Sequence, residues 1–243
     1  MLKGIRVVIT AYSASFCAPG MLGYQLTLPV PPLSAIYGLL SAAAGRWVAP
    51  HEVEWLAYRF EYEGKATDLE AIITFERKKP DDTPTFAGRN VIKREFLTNP
   101  RLTLYLPSSW EQPFRCPRYC LLLGRTQDVA CLESIKPAQL QPVDEGMLSG
   151  VLLPWEVIRN QQGRVHAWLQ SLPIAFSNEV PRRPLGKHIF GVLDAHRRPS
   201  QVNAPNWLAY DPSQKHTVDP LQKHTVPVYR WEWIQNVLQR TSG

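Results

Sequence analysis

Leu28-Pro29-Val30-Pro31-Pro32-Leu33-Ser34-Ala35-Ile36-Tyr37-Gly38-Leu39-Leu40-Ser41-Ala42-Ala43-Ala44-Gly45 is the stretch on which the fold turns. A proline is welcome in a first helical turn, because its missing N–H had no partner there anyway. Leu33, Ile36, Tyr37, Leu40 and Ala44 recur at close to helical spacing and make one apolar stripe. Gly45 is a natural stop, with Arg46 just beyond it. Upstream, Ile5, Val7, Ile9 and Ala11 alternate with Arg6, Val8, Thr10 and Tyr12, the period of a strand. A Gly-containing loop from Ser13 to Pro29 joins strand to helix. Downstream, Leu56, Tyr58, Phe60 and Tyr62 alternate with Ala57, Arg59 and Glu61. A turn at Glu63-Gly64-Lys65 then returns Leu69, Ala71, Ile73 and Phe75 as the second arm of a hairpin. Strand, helix, strand, strand opens a ferredoxin-like or RRM-like domain, whose sheet commonly serves RNA.

After Arg77 the pattern breaks. Residues 78–88 are polar and hold Pro80 and Pro84. Val91–Leu97 and Leu102–Leu106 then read as strands around Thr98-Asn99-Pro100. Residues 77–106 are thus expected to form a projecting, basic, β-rich arm; a mobile insertion without a partner is the plain alternative. A short helix fits Ser108–Arg115, and Tyr119–Leu123 is an apolar strand ending at Gly124-Arg125. The second half reads as helix-poor, with strands at Val151–Pro154, Val165–Leu169 and Val226–Trp233. The chain's 22 prolines favour loops and edge strands there. Gln214-Lys215-His216-Thr217-Val218 nearly repeats as Gln222-Lys223-His224-Thr225-Val226, a local duplication expected in a surface loop.

The 243 residues are 44% hydrophobic and 20% charged, which fits a globular chain and excludes a disordered one. No run approaches the roughly 20 apolar residues of a membrane span, and the N-terminus lacks a signal-peptide layout, so a cytoplasmic protein is expected. Cys116 and Cys120 stand four apart without a further Cys or His cluster; no metal or cofactor is expected, and the four cysteines read as packed thiols. The net charge is +6, and it is concentrated. Residues 77–101 carry a local +4 and residues 182–198 another +4, leaving −2 for the remainder. A phosphate-tracking surface needs such clustering, although two solvated loops would also show it.

Four segments together resemble the Cas-five family of type I CRISPR systems, most like the I-B branch. They are Ala14-Ser15-Phe16-Cys17-Ala18-Pro19, the 28–45 stretch, Lys93-Arg94-Glu95-Phe96-Leu97, and Leu122-Leu123-Gly124-Arg125-Thr126-Gln127-Asp128. Their order and spacing match over roughly residues 4–130. Cys17 departs from the pattern, since the family often has arginine there. The resemblance implies an α+β, repeat-associated RNA-binding (RAMP) fold. Residues 1–130 would be an RRM-like domain with a β-hairpin thumb at about 77–106, and 131–243 a smaller β-rich C-terminal region. It implies a non-catalytic subunit that caps and binds the 5′ handle of the guide RNA (crRNA). Its partners would be the backbone subunit (Cas-seven) and the large subunit (Cas-eight), with contact to target DNA near the protospacer-adjacent motif left open.

Each candidate RNA contact has a physical basis and a plainer alternative. Ser34 begins a helix whose free N–H groups and dipole favour a phosphate, with Arg46 adding charge; an internally satisfied cap is the alternative. Tyr12, Ser15, Phe16 and Tyr24 flank the first strand, where aromatics stack splayed bases, although core packing is the commoner use of an aromatic. Tyr37 falls in the apolar stripe and belongs to the core. Arg89, Lys93 and Arg94 on the arm would reach phosphates; Arg94 and Glu95 could instead be a routine ion pair. Gly124 would let RNA approach the backbone, with Arg125, Thr126 and Gln127 bonding to it. Lys187 joins from the second basic segment.

Two other functions fit the composition. Metal-independent RNA cleavage needs a base and an acid, jobs open to Lys187-His188, Lys215-His216 and Lys223-His224. A basic adaptor for acidic proteins is the other.

Overall fold

The helix expected from the proline-led stretch is α1, Leu33–Ala44, in the computed structural model, which describes residues 1–241 except 22, 78, 80, 82, 162 and 215–224. Pro32 is its extended N-cap, and Gly45 ends it in the left-handed region at φ 71°. In chain order the elements are β1 (Leu2–Ala11), β2 (Ser13–Ala14), β3 (Tyr24–Gln25), α1, β4 (Trp55–Glu61), β5 (Gly64–Glu76) and β6 (Thr85–Thr98). There follow β7 (Arg101–Leu106), α2 (Glu111–Arg115), β8 (Leu121–Leu122), β9 (Val129–Leu148), β10 (Val151–Pro154), α3 (Trp155–Ile158) and β11 (Trp168–Phe176). The chain closes with β12 (Pro184–Leu193), β13 (Ser200–Tyr210), β14 (Thr225–Arg230) and α4 (Trp231–Thr241).

β9, β1, β7 and β4 lie side by side, all antiparallel, and form the ferredoxin-like sheet with α1 and the short α2. β14 then pairs with β4, β13 with β14, and β13 with the far half of β9, so the strand pairings close a ring. The 20-residue β9 makes this possible. Ala130–Leu140 runs along β1, and Gln141–Leu148 runs along β13. The expected boundary at 130 therefore falls inside a strand, and residues 131–243 complete the sheet begun by the first half. The reason is chemical: β4 is buried along most of its length, and an edge with free N–H and C=O groups needs a partner.

One core unites both halves. Ile5, Val7, Phe60 and Leu104 from the sheet meet Leu33, Ile36 and Leu40 of α1, and Leu172, Ile174 and Phe190 of a second sheet ordered β10-β12-β11. Burying each such side chain is worth about 1.5–3 kcal/mol. Inside the ring, Trp55, Ala57, Tyr105, Leu140 and Val228 form a smaller cluster.

The hairpin is displaced from its expected place. β5 pairs along its whole length with β6, not with β4, whose neighbours are β7 and β14. The arm thus spans 64–98, and Arg101–Leu106, expected within it, lies in the main sheet. The strand expected at Tyr119–Leu123 shrinks to two residues, and that at Val165–Leu169 begins only at Trp168. Val226–Trp233 divides into β14 and α4. The near-repeat lies largely outside the described residues.

Candidate nucleic-acid interface

The arm sorts its charge between its two faces. Residues paired directly across an antiparallel ladder share a face, and successive residues alternate. One face carries Leu69 opposite Lys93, Ala71 opposite Val91, and Ile73 opposite Arg89, all exposed. The other carries Asp68 opposite Arg94, Glu70 opposite Ile92, and Ile72 opposite Asn90. Arg94 makes an ion pair with Glu70 on that second face, so the Arg94–Glu95 pair considered from the sequence does not form. Glu95 instead accepts the Thr27 backbone N–H at 3.1 Å. Lys93 and Arg89 make no ion pair among the described residues. The outer half of the first face is therefore apolar and cationic, and the second holds the acids.

Three of the four quoted segments converge at the base of the arm. β2 pairs with Leu97 and Thr98 of β6, and β3 runs parallel to β6 with Tyr24 beside Lys93. Ser15 donates its hydroxyl to the Glu95 carbonyl at 2.9 Å, and its N–H bonds the Leu123 carbonyl. Gly124 has φ 113°, and a Cβ there would stand 2.0 Å from the Ser15 carbonyl oxygen. Its positive φ and missing Cβ are used in this close approach to Ser15.

Arg125 sits against the acidic side. Its Nε and Nη2 donate to Asp128 at 3.0 and 2.9 Å, and its guanidinium lies 5.4 Å from the Phe96 ring centroid. Asp128 also accepts from the Arg125 N–H and from the Ser13 hydroxyl at 2.6 Å. The Arg125 side chain is 9% exposed, and its Nη1 is buried without a hydrogen-bond partner. Thr126 and Gln127 occupy the exposed turn beside it.

The remaining candidates scatter. Phe16 is buried edge-on against Phe60 at 5.5 Å, and Ser15 is also buried, so neither offers a surface for a base; both are corrected to structural roles. Tyr12 is 90% exposed and lines a groove of about 720 Å³ with Glu61, Tyr62, Asn99 and Arg101. Tyr24 is partly exposed, its hydroxyl 3.3 Å from Thr67 Oγ1. Ser34 and Arg46 flank opposite ends of α1, about 18 Å apart at 1.5 Å per residue, and cannot share one phosphate. Arg46 pairs with Glu52 at 2.6 Å. Lys187 is exposed on β12, in the second sheet. Beside it, His188 Nε2 lies 2.9 Å from Glu156, with its ring edge-on to Phe190 and Trp233. Lys215, His216, Lys223 and His224 lie outside the described residues. Tyr37 is in the core, as expected.

A group of residues not singled out from the sequence joins the arm to the C-terminal half. Asp194 accepts the Tyr62 hydroxyl at 2.7 Å and faces Lys65 Nζ at 3.8 Å. Burial, then the Asp194 carboxylate, pushes the Tyr62 hydroxyl well above the usual tyrosine value. Among the described residues no cluster of three His, Cys, Asp or Glu side chains could hold a metal, and no helix is long and apolar enough to cross a membrane.

No protein-family profile and no curated protein matches this chain. Solved structures do. A chain of a CRISPR RNA-guided surveillance complex superposes with a TM-score of 0.52 at 18% identity, covering 84% of this chain and 91% of that one. A chain of the type III-B Cmr-beta complex bound to cognate target RNA and AMPPnP gives 0.54 at 11% identity, covering 82% and 86%. A second Cmr-beta structure bound to cognate target RNA gives 0.51 at 12% identity, covering 82% and 86%. The chain is thus a mixed α+β protein of mostly antiparallel sheets with a RAMP-like fold. That fold is shared with chains of CRISPR effector complexes.

Proposed function

We propose that this chain is a Cas-five-like subunit of a type I CRISPR surveillance complex, most like subtype I-B, that grips the 5′ handle of the guide RNA and cuts nothing. The observation that carries the reading is the charge sorting on the β5–β6 arm. Single-stranded RNA offers phosphates and splayed bases together, and it suits a ribbon face where Lys93 and Arg89 alternate with Leu69, Val91 and Ile73. The fold shared with chains of CRISPR complexes supports it. Apolar side chains this exposed call for a cover, supplied by the RNA and by neighbouring backbone (Cas-seven) and large (Cas-eight) subunits.

The test is binding of a labelled RNA carrying the repeat-derived 5′ handle. Arg89→Glu/Lys93→Glu should weaken binding roughly tenfold or more at moderate salt. Ile72→Glu/Asn90→Glu, on the opposite face, should leave it nearly unchanged. Equal losses from both pairs, or no binding by the wild type, would overturn the reading. End-labelled repeat RNA should also remain intact in EDTA; cutting at one position, lost in His188→Ala, would make the chain the processing enzyme.

A further inference from the structure

The turn between β12 and β13 reads Asp194-Ala195-His196-Arg197-Arg198. It is held rigidly. Asp194 accepts the His196 backbone N–H at 3.0 Å on the same oxygen that takes the Tyr62 hydroxyl, and the Arg197 N–H bonds the Asp194 carbonyl at 3.1 Å. His196 Nε2 lies 2.6 Å from the Tyr62 carbonyl oxygen; a carbonyl only accepts, so Nε2 carries the proton. The two rings lie against each other tilted by 35°, with centroids 4.4 Å apart. His196 is nonetheless exposed, and Tyr62 is the one ring packed on it among the described residues. Arg197 and Arg198 are exposed and make no ion pair among the described residues. Asp194, the turn's own acid, is occupied by Tyr62 and Lys65.

The position of the turn is as telling as its chemistry. Lys65 belongs, by alternation along β5, to the face that carries Lys93 and Arg89. Its contact with Asp194 sets the turn at the base of that face. From Lys65 to the level of Arg89 is eight residues of strand, about 26 Å. The cations of the arm and the turn therefore share one side of the molecule, interrupted between the levels of Lys65 and Lys93 by Glu95, whose carboxylate is held by the Thr27 N–H, and they bring together two basic segments that lie far apart in sequence.

We infer that the Asp194–Arg198 turn is a second contact for single-stranded RNA, with the exposed His196 stacking a base and Arg197 and Arg198 holding phosphates. This rests on the RNA-binding reading above. The strand would run along the cationic face of the arm and down onto the C-terminal half. A turn already fixed by Asp194 and Tyr62 loses little entropy on binding, which favours such a contact.

The test uses the full chain and the same labelled handle RNA. Arg197→Ala/Arg198→Ala should make the log–log salt dependence of binding shallower by about 1.4, at about 0.7 per phosphate. His196→Ala should weaken binding about 5- to 150-fold without changing that slope, and His196→Trp, which keeps a ring and an N–H, should restore it. In the wild type, photo-crosslinks from 4-thiouridine in that RNA should map to the peptide holding residues 194–198, whatever the variants' stability. Unchanged affinity and slope in the double variant, or crosslinks confined to the arm, would overturn the inference while leaving the arm's role standing. Failure of the wild type to bind would remove the RNA reading and this one with it.

Discussion

The Asp128 carboxylate receives four hydrogen bonds, three of them from Arg125, and the two residues lock the turn that leads into β9. Removing one member strands the other. Asp128→Ala should cost of order 3 kcal/mol, the low end for a buried pair because the turn reaches solvent at Thr126 and Gln127. Arg125→Met/Asp128→Leu should melt closer to the wild type than either single change does. Thermal denaturation of the three variants checks both statements.

Gly124→Ala should destabilise by about 1–3 kcal/mol or more, since a positive φ and a clash with the Ser15 carbonyl act together. Gly20, at φ 79° with open space around it, should cost less on the same substitution. The comparison separates the clash from the conformational cost, again by melting temperature.

Phe16 and Tyr12 should part company. Phe16→Ala removes a core ring and should cost about 3–5 kcal/mol. Tyr12→Ala should change stability by less than about 0.5 kcal/mol, and any effect should appear in RNA binding. Denaturation and RNA titration of the two variants should give opposite rank orders.

Acid should loosen the link between β1 and the end of β13. Burial pushes the Asp211 carboxyl up, but hydrogen bonds from Ser213 and Arg6 outweigh it and hold the group below its usual value. A carboxylate depressed in the folded state stabilises above its unfolded value near 3.9, and that contribution is lost as pH falls through the folded value. Wild type should therefore lose melting temperature below about pH 4 more steeply than Asp211→Asn does.

The ferredoxin-like opening was legible because β1 and α1 bury one side each, and such faces print a period of 2 or 3.6 on the residues. The arm was harder to place. β4 alternates aromatic and polar residues up to Tyr62, and β5 resumes alternation after Gly64, so a hairpin of the two fits the pattern equally well. What separates them is partner choice, fixed by the long ladder to β6 and by β14, some 170 residues downstream in sequence from β4. β9 escaped because Pro137 and Pro142 interrupt its pattern, and α4 because Trp231 and Trp233 read as strand residues. Among the site residues, Lys93 and Arg89 were legible as charge. The Asp194–Tyr62–Lys65 linkage was not, since nothing local in Asp194-Ala195-His196 says that residue 62 lies beneath it.

The closing of the strand ring sets an order of events during synthesis. β4 leaves the ribosome well before its second partner, residues 225–230, which lies some 170 residues further along the chain. Until then one edge of β4, a strand buried in the folded protein, stays bare, and contacts this distant in sequence form slowly. A growing chain must shield that edge while the intervening residues are made. Production of the intact protein should depend on chaperone supply or on slow elongation more than its final stability would indicate.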